Sequence, residues 1–139
     1  MNFKTPIVSD NAPKAIGPYS PGICINGLVS LSGQLPVNPK TGKISAKDIK
    51  EQTRQSLENV KALLDAAELT FENVIKTTVF LTDMKDFSEM NEVYSKYMIT
   101  PYPARSCVQV AALPMNAGVE IEVLCARGTI TPADCGCCE

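Results

Sequence analysis

Arg105 stands in the string PYPARSCVQV, directly after a proline-stiffened turn and at the mouth of a strand-like run. A planar guanidinium in that position could grip a carboxylate through two parallel hydrogen bonds. The spacing also fits an ordinary surface ion pair with Glu120 or Glu122. Those two glutamates interrupt VEIEVLC, a segment otherwise made of Val, Ile, Leu and Cys. Each is a candidate base held in an apolar setting, with solvation on one strand face as the plain alternative. Cys107 lies two residues past Arg105 and could act as a nucleophile, although packing suits a thiol with no base beside it. Tyr19, fixed between Gly and Pro in IGPYSPG, could present its phenol to a ligand or simply pack.

The chain has 139 residues, a formal net charge of -2 and no histidine. Without histidine there is no Ser-His-Asp triad, no Cys-His dyad, and no supply of the commonest zinc ligand. Catalysis must therefore use carboxylates, Arg, Tyr, thiols or backbone groups. No phosphate loop and no strand-linked G-x-G-x-x-G is present, so nucleotide chemistry has no support. The slightly acidic balance gives no electrostatic reason to bind nucleic acid. No stretch reaches the roughly 18 apolar residues of a membrane span, and no secretory pattern opens the chain, so a cytoplasmic protein is expected. On that reading Cys24, Cys107 and Cys125 are reduced thiols, and the terminal Cys135, Cys137 and Cys138 form an oxidisable tail rather than a metal site within one chain.

The elements that must position these groups can be read from periodicity. Gly22 to Leu35 reads as two short strands meeting at Asn26-Gly27, a dipeptide suited to a tight hairpin turn. PVNPKTG, from Pro36 to Gly42, is a loop. Ser45 and Asp48 resemble a helix cap before an apolar stripe of Ile49, Ser56, Leu57, Val60, Leu64 and Ala67. Val74 to Leu81 reads as a strand with Val74, Lys76, Thr78 and Phe80 on one face. Asp86 and Glu89 open a second helix striped by Phe87, Met90, Val93, Tyr94, Tyr97 and Met98. Asn91 falls near that stripe, where its amide needs partners.

Ala104 to Leu113 and Val119 to Arg127 are the last strands, and their short connection suggests an antiparallel pair on which Arg105 and a glutamate share a surface. The order predicts an α+β sandwich, a mixed sheet with two helices on one face. Two helices cannot cover both faces, so self-association is expected.

Taken together, NAPKAIGPYSPG, LSGQLPVNPKTG, RQSLENVKALLDAAE, VIKTTVFLTDMKDF, MNEVY, PARSCVQVAALP and VEIEVLCA closely resemble the reactive intermediate deaminase A (RidA) family, also called YjgF/UK114. The resemblance spans residues 8 to 127, within a single domain placed at 1–128, and leaves the Cys-rich tail, 129–139, without a counterpart. It implies a chorismate mutase-like fold and a homotrimer with clefts between subunits that take small 2-imino and 2-keto acids. The implied activity is hydrolysis of 2-iminobutanoate and 2-iminopropanoate to 2-keto acids and ammonia, with no cofactor and no metal. Matched position by position, Arg105 corresponds to the carboxylate-binding arginine and Glu120 to the acidic residue that orients or activates water. Tyr19, Ser32, Gly33, Asn91 and Cys107 correspond to the remaining pocket positions. The competing reading is a non-catalytic regulator or chaperone that binds small carboxylates. Translation-inhibitor and ribonuclease roles, also described for the family, fit the charge and the missing histidine less well.

Overall fold

A computed structural model describes residues 3–128. The tail beginning at residue 129, with its three cysteines, lies outside the described residues.

Six strands form one sheet: β1 (Thr5–Ile7), β2 (Gly22–Ile25), β3 (Leu28–Gln34), β4 (Val74–Leu81), β5 (Ala104–Gln109) and β6 (Val119–Ala126). Their order across it is β1-β2-β3-β6-β4-β5. The β2-β3 hairpin turns at Asn26 (φ 47°) and Gly27 (φ 78°), a left-handed pair that Asn-Gly adopts at low steric cost.

The expected pairing of the last two strands does not occur. β6 lies between β3 and β4 and is antiparallel to both, while β5 lies at the edge, parallel to β4. β5 ends at Gln109 rather than at the Leu113 expected, so residues 110–118 join it to β6, a longer link that does not require a hairpin. The Val, Ile, Val, Cys face of β6 is buried on both flanks only in the middle of the sheet.

Helices α1 (Ile49–Ala66) and α2 (Phe87–Tyr97) pack on one face, giving the α+β arrangement expected. The cap of α1 is Asp48, which accepts from the Glu51 amide at 2.9 Å, rather than Ser45. Leu57, Val60, Leu63 and Leu64 of α1 are buried against Val79, Leu81, Ile121 and Val123 of the sheet. Each such side chain contributes about 1.5–3 kcal/mol of transfer free energy.

Polar residues also enter this layer, and they tie the loops down. Asn59 Nδ2 donates to the carbonyls of Leu35 and Val37, and Gln52 accepts from the Gly118 amide while donating to the Ala46 carbonyl. The segment at Leu35 and Val37 and the turn before β6 are thereby fixed to α1.

A register shift between Val74 and Lys76 corrects the face assignment on β4. Val74 turns into the core, whereas Lys76, Thr78 and Phe80 remain on the face away from the helices, beside Leu124, Glu122 and Glu120 of β6. That second face is apolar in part, with Leu28 and Val108 well exposed. No helix among the described residues is long and apolar enough to cross a membrane.

Candidate functional site

Arg105 lies on β5 directly beside Thr77 of β4, on the helix side of the sheet. Its Nη1 donates to Asn91 Oδ1 at 2.6 Å. The guanidinium carbon stands 4.8 Å from the ring centre of Tyr94 and 5.5 Å from that of Phe87. Such ring contacts are worth about 0.5–2 kcal/mol, more as water is removed. Phe87, Asn91 and Tyr94 follow a four-then-three spacing, so α2 presents all three on one face to the sheet edge. The amide of Asn91 finds its required partner here.

Tyr94 is itself anchored. Its hydroxyl and that of Thr77 form a buried hydrogen bond of 2.7 Å. Burial holds the phenol above its usual range despite the opposing effects of the Thr77 bond and the Arg105 charge. Beyond the guanidinium, Ser95, Tyr102 and Pro103 complete an open cleft of about 340 Å3.

The expected alternative of an Arg105–glutamate ion pair is not found among the described residues. The reason is topological. Glu120 and Glu122 alternate with the buried Val119, Ile121 and Val123, so they point to the opposite face of the sheet from Arg105.

Glu120 is half-buried and packs over Gly33 of β3. A Cβ at Gly33 would stand 2.8 Å from Glu120 Cδ, closer than real Cβ contacts come. Burial, reinforced by the charge of Glu122, raises the pKa of Glu120 above the ordinary carboxylate value. Gly33 and Tyr19 also line a cleft of about 250 Å3, walled by Ile16, Val37 and Met115 among others. Tyr19 is half-exposed, with its hydroxyl accepting from the Ile16 amide at 3.3 Å. Ser32, beside the β3 irregularity, donates from Oγ to the Ser20 carbonyl at 2.6 Å and so pins the Tyr19 loop.

Cys107 sits two residues along β5 from Arg105 on the same face and packs against the core. Burial raises its pKa and the Arg105 charge only partly opposes this, so the thiol is the stable form at neutral pH. Cys24 and Cys125 are also free thiols. No group of three or more His, Cys, Asp or Glu among the described residues could hold a metal ion.

The candidate residues thus fall into two groups. Arg105, Asn91 and Cys107 lie at the β5-α2 edge, and Tyr19, Ser32, Gly33 and Glu120 lie around β3 and the far face of β6. Thr77, Phe87 and Tyr94 join the site without a motif that singles them out in the sequence. The spacing of Phe87, Asn91 and Tyr94 was a visible signal, but only the β4-β5 register shows that Arg105 meets them.

Comparison with known proteins agrees with this fold. The family model described as Endoribonuclease L-PSP matches residues 9–127. The 2-iminobutanoate/2-iminopropanoate deaminase of Escherichia coli K12 is 47% identical over 124 residues, covering 87% of this chain and 96% of that protein. The chain belongs to the RidA family.

Other RidA relatives are as near. A RutC family protein of Pyrococcus horikoshii is 50% identical over 122 residues, covering 88% of this chain and 97% of its own. The crystal structure of E. coli TdcF with bound serine superimposes with a TM-score of 0.84 at 47% identity, covering 89% of this chain and 99% of TdcF. RidA from the Antarctic bacterium Psychrobacter gives 0.85 at 41% identity, covering 88% and 99%. Names within this RidA group include both deaminase and endoribonuclease, so the family by itself does not assign one reaction.

Proposed function

We propose that this RidA-family chain hydrolyses 2-imino acids, with 2-iminobutanoate and 2-iminopropanoate as substrates, to 2-keto acids and ammonia. The observation that carries the reading is the Arg105 guanidinium, oriented by Asn91 and two rings and left with further donors facing an open cleft. A planar fork held in this way is suited to a carboxylate. Relatives named for this deaminase activity, and TdcF with serine bound, support a small amino-acid-like ligand.

Arg105 and Glu120 face opposite sides of one sheet, so a site that uses both is assembled between copies, in the homotrimer that the resemblance implies. One copy contributes Arg105, Asn91 and Cys107; its neighbour contributes Tyr19, Ser32, Gly33 and Glu120. This also covers sheet surface that the two helices leave open.

In the reaction, Arg105 fixes the carboxylate, and a water attacks the protonated imine carbon. Glu120 takes the proton of that water, and the Cys107 carbonyl helps to hold it. The resulting carbinolamine transfers a proton to nitrogen and collapses, forming the C=O bond as the C–N bond breaks and ammonia leaves. A protonated imine is already electrophilic, so positioning and a base suffice. No thiol adduct is needed, which agrees with the raised pKa of Cys107.

The test is an assay coupled to an amino-acid dehydratase that generates the imine in place. Wild type should accelerate keto-acid and ammonia formation, and Arg105→Ala should lower the rate by about 10²-fold or more while remaining folded. Cys107→Ser should lose far less. Normal turnover by Arg105→Ala would overturn the reading. RNA cleavage by wild type, lost in Arg105→Ala, would favour the ribonuclease role instead.

A further inference from the structure

Arg105 is at a sheet edge and only partly buried. An arginine side chain there has several rotamers, and holding one of them costs entropy unless its neighbours fix it. Asn91 fixes one nitrogen of the fork through Oδ1. A single hydrogen bond still allows the guanidinium plane to rock. The ring of Tyr94, 4.8 Å away, limits that motion, and this ring cannot turn aside because its hydroxyl is tied to Thr77.

Thr77 is 1% exposed and Tyr94 is 7% exposed, so water does not readily replace either partner of that bond. Thr77 is also the lateral neighbour of Arg105 in the β4-β5 ladder. The strand that sets the height of the arginine therefore also sets the position of the ring over it.

We propose that the Thr77–Tyr94 hydroxyl pair is a positioning device for the carboxylate anchor: it locks the Tyr94 ring against Arg105 and so presents the free edge of the guanidinium to the cleft. Thr77 stands behind the ring and outside the cleft, while Tyr94 lines the cleft beside Arg105 and acts here by holding the guanidinium in place. The inference rests on Arg105 being the carboxylate-binding group of the proposed deaminase.

It follows that the pair governs binding of the substrate carboxylate more than the bond-making step. Thr77→Val keeps the β-branched shape and removes the hydroxyl, Tyr94→Phe keeps the ring and removes the other hydroxyl, and Thr77→Ser restores a donor and acceptor. Because both deletions break one bond, the double variant Thr77→Val/Tyr94→Phe should be little worse than either single variant.

The experiment measures kcat and KM in the dehydratase-coupled assay, with the dissociation constant of 2-oxobutanoate followed by NMR titration. The expected result is that Thr77→Val and Tyr94→Phe each raise KM and that dissociation constant about tenfold, the upper end of what one hydrogen bond supports. In both variants kcat should stay within about twofold, as for removal of uniform binding. Thr77→Ser should recover most of the loss. A purely structural role would lower the melting temperature without this KM-against-kcat split.

If Thr77→Val does not fold, Tyr94→Phe decides. An unchanged KM and dissociation constant in the folded variants would overturn the proposal, as would a fall in kcat with KM unmoved. Binding of 2-oxobutanoate by wild type without imine hydrolysis would overturn the deaminase reading alone, since carboxylate affinity in the variants still reports on Arg105. Failure of wild type to bind 2-oxobutanoate would overturn both.

Discussion

Gly33 leaves no room for a side chain because Glu120 lies across it: a Cβ there would fall 2.8 Å from Glu120 Cδ and nearer still to Oε1. The glycine is needed for close approach rather than for an unusual backbone angle. Gly33→Ala should displace the Glu120 carboxylate and lower kcat about tenfold or more, since misplacement of a catalytic group by about 1 Å can cost 10²-fold. Steady-state kinetics with a melting curve will check this, and unchanged kcat in a folded variant would separate Glu120 from the chemistry.

Arg105 and Glu120 lie on opposite sheet faces, which makes their cooperation testable between chains. Arg105→Ala and Glu120→Gln should each be inactive alone. Refolded together at equal amounts, they should recover about a quarter of wild-type activity, because one site in four of a cyclic assembly draws both intact residues from different copies. Sedimentation of the mixture should show a trimer. An inactive mixed trimer would place both residues in one chain's site.

Glu120 must be ionised to act as a base. Its pKa is raised by burial and then by Glu122, so the acid limb of kcat/KM should have its midpoint above the ordinary glutamate range. Activity rises with pH through that limb. Glu122→Gln removes the like charge and should move the limb to lower pH. The same raised pKa costs stability that grows as pH rises from the unfolded carboxylate's value to the folded one and is complete above it, so Glu120→Gln should raise the melting temperature at neutral pH more than at pH near 4. A limb that does not respond to Glu122→Gln would assign it to another group.

Ser56 tests the packing under the site independently of the chemistry. It is fully buried on α1 and its Oγ has no hydrogen-bond partner among the described residues. Ser56→Ala should therefore be neutral or stabilising by up to about 1 kcal/mol, read as a small rise in melting temperature with unchanged kinetics. By contrast Thr53, on the same face, donates to the Ile49 carbonyl at 2.7 Å and offers no such gain.

The two helices, the Asn26-Gly27 hairpin and the strand at Val74–Leu81 are legible in the chain alone, because each follows from local periodicity or a turn dipeptide. The missing histidine and the PARSC and VEIEV strings likewise narrowed the chemistry through residue type alone. Helix starts were less well placed, with Asp48 rather than Ser45 as the cap, since several short polar residues compete there. The strand order emerges only in the folded sheet, because the link between β5 and β6 does not reveal that β6 inserts between β3 and β4. That insertion sends Arg105 and Glu120 to opposite faces and brings Arg105 to Asn91, Tyr94 and Thr77. Those contacts depend on register between segments far apart in the chain, and register is fixed by which faces the whole sheet buries, not by any local run of residues.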